Sequence, residues 1–281
     1  MTRPVRSRGV LIRQIAAHAV LITGAIFILL PFVWMILTSI RSPSEIFDAS
    51  LWPFPRQFYG HHHYVEAMTA VPLFRFMLNG VIVCAGILIV QLLVSIPAAY
   101  ALAKLRFPGS GLFFASVIAA LCVPMQVLAL PLFIGLAEVG MLNTYFAMMM
   151  PFFVSVFAIF LFRQTFKTFP DEIIQAARID GFTEMEICWR LVVPASKAAI
   201  SAFTVFSVVA HWNDLYWPLI VVSDTRLAPP PLGMLFFTNA EAGSNYGALM
   251  AGATVLTAPL VICFLLARRR FIEGITMTGV K

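Results

Sequence analysis

From its amino terminus the chain alternates long apolar runs with short polar breaks. A helix needs roughly 20 apolar residues to cross a ~30 Å hydrocarbon core. Six runs reach about that length: Ile15–Ser39, Met77–Ala103, Leu112–Leu136, Thr144–Phe162, Ala198–Val222 and Tyr246–Ala267. The ten-residue apolar–polar alternation of a closed β-barrel is missing. Pro31, Pro97, Pro124 and Pro131 lie inside runs, where neighbouring helices can re-satisfy the backbone they disturb. The expected fold class is all-α integral membrane, with six transmembrane helices. Residues 1–76 hold an N-terminal segment, the first helix and the first outer segment. Residues 77–267 form a five-helix core with a polar inner loop at 163–197, and residues 268–281 a tail.

Composition agrees with this reading. Of 281 residues, 60% are hydrophobic and 11% charged, too few polar groups to cover a soluble core of this size. The net charge of +6 would suit a nucleic-acid binder, but its distribution explains it otherwise. With the N-terminus inside, Arg41, Arg56, Arg75 and Arg226 fall on outer segments and the other fifteen of the 19 Lys and Arg fall on inner ones. This bias sets orientation, places both termini in the cytosol and requires no nucleic-acid partner. The first run is too long for a signal-peptide core, and Pro31, Phe32 and Trp34 stand where a cleavage site would be. It is expected to be a retained span. Cys84, Cys122, Cys188 and Cys263 match no metal or disulfide spacing and are expected to pack as small apolar groups.

The first outer segment carries His61, His62 and His63. Adjacent residues point in different directions, so the run is expected to be ordinary polar surface, without a metal. The second outer segment, 223–245, carries Pro229, Pro230 and Pro231. It is either a stiff extended arm towards an external partner or a plain connector.

The inner loop has more pattern than either. Thr168 is placed to cap a helix with Pro170, Asp171 and Glu172 in its first turn and Ile173, Ile174 and Ala177 on one face. Gly181 suits a left-handed helix end. Thr183 to Glu186 reads as a capping box, followed by a stripe of Met185, Cys188, Trp189 and Val192 that Pro194 ends. Two helices this short must pack on something.

The run Pro170-Asp171-Glu172-Ile173-Ile174-Gln175-Ala176-Ala177-Arg178-Ile179-Asp180-Gly181, continuing to Leu191-Val192-Val193-Pro194, resembles the EAA loop of ABC importer permeases. The surrounding pattern is similar to the sugar-importer branch, which includes the maltose and glycerol-3-phosphate permeases. Trp212-Asn213-Asp214, Trp217-Pro218-Leu219, Tyr246 to Gly252 and Arg270 to Thr276 extend the likeness, which covers about 74–281. It implies the type I importer permease fold and half of a translocation path, in a bacterial inner membrane. It also implies a second homologous permease, a dimer of cytosolic ATPase subunits, and a periplasmic or lipid-anchored solute-binding protein. Gln175, Ala176, Ala177, Asp180 and Gly181 would then be the ATPase-coupling residues. The family usually has Glu where this chain has Gln175, which cannot form an ion pair. The chain has no G-x-x-x-x-G-K-[ST] loop, so it is expected to need no cofactor of its own; its partners would bind ATP.

Ionisable residues within spans are functional candidates. His18, near the inner end of its span, is expected to reach the interface. His211, Trp212, Asn213, Asp214, Tyr216 and Trp217 offer aromatic faces, amides and a carboxylate, as a sugar-binding path would. They equally suit an interfacial aromatic belt with Asp214 paired to a neighbouring subunit. An ion-coupled secondary transporter is the alternative. The second, third, fourth and sixth spans hold no Asp, Glu, Lys or Arg for its relay, and no span offers an enzyme's paired carboxylates.

Overall fold

The computed structural model describes residues 8–48, 54–240 and 245–276. In chain order its helices are α1 (Arg8–Thr38), α2 (Pro43–Ile46), α3 (Gly60–Ala70), α4 (Leu73–Lys104), α5 (Ser110–Leu121), α6 (Met125–Glu138), α7 (Tyr145–Met149) and α8 (Val156–Lys167). There follow α9 (Asp171–Ile179), α10 (Glu184–Ile187), a π-turn at Cys188–Val192, α11 (Val193–Ala195), α12 (Lys197–Trp212), α13 (Tyr216–Val221), α14 (Pro230–Ala240) and α15 (Tyr246–Thr276). Among the described residues the β-structure is one isolated bridge, Arg41 to Phe58.

The apolar runs become helices, but several are broken. Among the described residues, two continuous helices are long and apolar enough to span, Ile12–Thr38 and Leu73–Lys104. Three further candidates are bent pairs: Ser110–Leu121 with Met125–Glu138 at 97°, Tyr145–Phe152 with Val156–Lys167 at 44°, and Glu184–Ala195 with Lys197–Trp212 at 82°. The last run appears as a shorter apolar stretch, Tyr246–Ile262. The first break follows from Pro124, which has no N–H to continue the preceding helix.

The chain divides into two units. One comprises Met1–Ala70 and Thr238–Val255. Its first outer segment is folded, not slack. The guanidinium of Arg41 lies 5.1 Å over the Trp34 ring, and Glu45 accepts from the amides of Arg56 and Gln57. His63 is buried with its Nε2 2.8 Å from the Arg41 carbonyl, and a Cβ on Gly247 would run into its ring. His61 and His62 stay exposed, the latter stacked on Tyr59. In the same unit His18 lies exposed on α1, with its Nδ1 2.7 Å from the Gln14 carbonyl.

The other unit, Val71–Phe237 and Leu256–Lys281, is arranged around α4, against which α8 and α12 pack. Phe76, Val83, Ile87 and Ile96 are buried along it, with polar Asn79, Gln91 and Ser95 among them. Asn79 donates to the carbonyls of Arg226 and Ala228 and accepts from the Tyr145 hydroxyl. Asn143, at φ 56°, takes the amides of Ser223 and Asp224 on its side-chain oxygen. These bonds tie the second outer segment down. Pro229 and Pro230 are buried and Pro231 is half-buried, and Pro230 and Pro231 start α14, where a missing N–H costs nothing. The proline run is therefore a helix start and not an extended arm. Cys84 and Cys188 are buried as packing residues, whereas Cys122, at the α5–α6 bend, is exposed. The side chain of Cys263 lies outside the described residues.

Candidate functional sites: a braced polar loop and a pocket at two helix breaks

The polar loop begins where α8 ends. Thr168 closes α8, its hydroxyl donating to the Thr165 carbonyl, and does not cap α9. Pro170 takes the N-cap position, and the first turn is held from outside the loop. Lys104, in the last turn of α4, donates to the Phe169 carbonyl and to the Asp171 carboxylate, each at 2.6 Å, which holds that carboxyl below its ordinary range. A main-chain anchor and a charge at one helix start fix the angle at which α9 leaves the bundle.

The turn after α9 follows the sequence pattern. Gly181 sits at φ +86°, its amide bonds the Arg178 carbonyl, and the Phe182 amide bonds the Ala177 carbonyl. That pair of bonds is a Schellman motif. The capping box forms between Thr183 and Glu186. Across the turn Arg178 Nε donates to Glu184 at 2.7 Å, and the Tyr100 hydroxyl of α4 donates to the other oxygen of the same carboxylate at 2.7 Å. The guanidinium first, then the phenol, hold Glu184 below the usual carboxylate range.

The inward face of the loop is Ile174, Ala177, Ile187, Cys188 and Val192, all in one cluster with Ile96, Ala99, Phe162, Phe166 and Phe203 of the spans. Two expected face residues point the other way: Ile173 is 46% and Met185 55% exposed. Pro194 does not stop the second helix. The π-turn before it absorbs the missing N–H, and the chain runs on through Ala195 before bending into α12. Of the five sequence-predicted coupling residues, Gln175, Ala176, Asp180 and Gly181 are exposed. Ala177 faces the chain's own spans. Beside α9 lies a groove of about 800 Å³ lined by Lys104, Arg106, Asp171, Gln175 and Arg178.

The predicted cluster at the end of α12 is a helix break. Asn213 closes α12, donating to the Val209 carbonyl, and Asp214 accepts from the Trp217 amide at the start of α13. Trp212 and Trp217 are buried, and their indole N–H groups donate to the carbonyls of Leu256 and Ala147. In this conformation neither ring offers an open face, either to a solute or to a headgroup region. Tyr216 is exposed.

His211 lies elsewhere, in a cavity of about 250 Å³ lined by Gln91, Phe152, Ser155, Phe203, Phe206 and Ser207 among others. The α7–α8 break supplies one wall. Broken helices near the middle of a membrane protein free backbone groups where a ligand can meet them. Gln91 and Ser207 are uncharged and carry no ionisable signal in the sequence. An amide in the middle of an apolar run is a comparable signal.

Residues 91–276 match the family described as binding-protein-dependent transport system inner membrane component. Among curated relatives, the sn-glycerol-3-phosphate transport system permease protein UgpE of Yersinia pestis is 31% identical over 268 residues, covering 93% of this chain and 95% of that one. The arabinooligosaccharides transport system permease protein AraQ of Halalkalibacterium halodurans is 36% identical over 203 residues, 72% of each. Among solved structures, a bacterial ABC transporter involved in import of the acidic polysaccharide alginate aligns with a TM-score of 0.79 over 96% of this chain and 100% of its own, at 20% identity. The braced loop and the helical core thus sit in a chain that belongs to the binding-protein-dependent transport system inner membrane component family, as the permease subunit of an ABC importer.

Proposed function

We propose that this permease forms half of a translocation path for a sugar or a related polyol or glycerol-phosphate compound, in an inner membrane with six spans and both termini cytosolic. The second half is a homologous permease. A dimer of cytosolic ATPase subunits binds the ATP, and a solute-binding protein, periplasmic or lipid-anchored, delivers the solute. The distribution of Lys and Arg supports the orientation. The solute class rests on the relatives, which serve sn-glycerol 3-phosphate and arabinooligosaccharides. Within the chain, His211 with its pocket, and Asn213, Asp214 and Tyr216 at the helix break, are the substrate-path residues.

Coupling runs through residues 170–194. The observation that carries this reading is the asymmetry of α9 and its turn. One side is anchored to the spans through Lys104, Tyr100 and a buried apolar cluster, while the other leaves Ile173, Ile179 and Met185 bare, with Ile179 87% exposed. An apolar face outside the spans needs a partner, and a rigid element transmits that partner's movement. Gln175 meets the ATPase by hydrogen bonds in place of the ion pair that Glu would make.

Gly181 provides the test. No heavy atom lies within 4 Å of a Cβ built there, so a substitution meets only the backbone penalty of a positive φ. That penalty is about 1 kcal/mol, larger for β-branched residues and smaller for Asn. Gly181→Val is expected to insert normally, lose ATPase association and lose uptake, while Gly181→Asn keeps both. Bound ATPase, ATP turnover and uptake are measured together on the purified complexes. Full uptake and ATPase binding by Gly181→Val would exclude the loop as the coupling element.

A further inference from the structure

The hydrogen bonds of Gln91 form a chain of constraints that ends in the pocket. The Phe152 carbonyl can only accept, and the Gln91 side-chain nitrogen lies 2.9 Å from it, so that nitrogen is the donor. The amide oxygen then faces the other way, where the Ser207 hydroxyl donates to it at 2.7 Å. In this orientation the same Gln91 nitrogen is 3.3 Å from Nε2 of His211. Two N–H groups cannot bond each other, so Nε2 carries the lone pair and the ring proton sits on Nδ1. Among the described residues His211 Nδ1 has no hydrogen-bond partner, and the buried side-chain atom without one is His63 Nδ1. His211 Nδ1 therefore reaches accessible space at the pocket it lines.

We infer that Gln91 is a positioning residue that holds His211 as a neutral Nδ1–H tautomer, so that the pocket presents one hydrogen-bond donor to a hydroxyl oxygen of an uncharged sugar or polyol group. The inference rests on the substrate-path reading above and narrows it. No Lys, Arg, Asp or Glu lines the cavity, and phenylalanine rings make up much of its wall. A phosphate there would lose its hydration with no cation in return. A sugar's apolar C–H face and one hydroxyl lose little. A charged group on the solute, if it has one, is held elsewhere along the path.

The test uses the assembled importer in lipid nanodiscs, with this subunit alone carrying ¹⁵N-histidine and the His211 signal assigned by its disappearance in His211→Asn. Nitrogen shifts distinguish the two tautomers and the cation. The expected wild-type state near neutral pH is Nδ1–H. In Gln91→Glu the carboxylate accepts where the amide donated, so the proton moves to Nε2. Glycerol is expected to shift the wild-type Nδ1 signal and inorganic phosphate to leave it in place. An Nε2–H or cationic ring in the wild type, or a tautomer unchanged in Gln91→Glu, overturns the positioning role. A response to phosphate and not to glycerol, or to neither, overturns the assigned ligand chemistry. Uptake of an arabinooligosaccharide is a separate readout. His211→Leu is expected to lower it about tenfold, the worth of one lost hydrogen bond, and His211→Asn, whose amide replaces Nδ1–H, to restore most of it. Full uptake in His211→Leu alongside the expected spectra would remove the pocket from the path while leaving the tautomer assignment in place.

Discussion

Trp217 spends its indole N–H on the Ala147 carbonyl at 2.8 Å and has no exposed surface, so its contribution is to hold α13 against α7. Trp217→Phe keeps most of the apolar contact but orphans that carbonyl, at a cost of about 1–3 kcal/mol. The purified protein is expected to unfold at a lower temperature, and the KM for uptake to stay unchanged. A raised KM at unchanged thermal stability would instead place the ring against solute. The sequence could not separate these roles. An aromatic beside a helix break has the same neighbours in the chain whether it faces a sugar, a headgroup or another helix. What decides is the partner of its N–H, here 70 residues away. Gly181 was legible for the opposite reason, because its left-handed turn and both of its hydrogen bonds are local.

At the scale of the element, the loop between α8 and α12 owes its shape to local signals and its attachment to distant ones. The capping box and the Schellman turn follow from residues 177–186 alone. The bonds from Lys104 and Tyr100 do not; they reach the loop from α4. Glu184 is the hub, its ionised form favoured in the fold by Arg178 and Tyr100. A carboxyl with a lowered folded pKa stabilises above its ordinary value, and the contribution is lost as pH falls through the lowered one. Protection of the Phe182 and Glu186 amides from hydrogen exchange, corrected for intrinsic rate, should therefore hold down to about pH 4.5, the ordinary value, and fall below it. In Glu184→Gln that step should shrink or vanish. A step of full size in that variant would assign the transition to Asp171 or Glu186, whose carboxyls are also held low.

For the molecule as a whole, the apolar runs gave the helices, but run length did not show the bends at Cys122–Pro124, where Pro124 interrupts the helix, and at Phe153–Ser155. The most apolar window of α1 has no buried residue, as a helix does when lipid or another chain covers it. On the proposed function, ATP-driven movement enters this subunit at the bare face of the loop. The most direct measurement is to purify the importer carrying Ile173→Asp with Ile179→Asp, two changes at positions exposed in this chain. ATPase copies bound per permease are then determined, together with uptake. The fold of the chain should be unaffected, since neither side chain belongs to the buried cluster. Normal insertion, loss of most of the bound ATPase and loss of uptake are expected. A variant that retains its full complement of ATPase and imports at the wild-type rate would contradict that function.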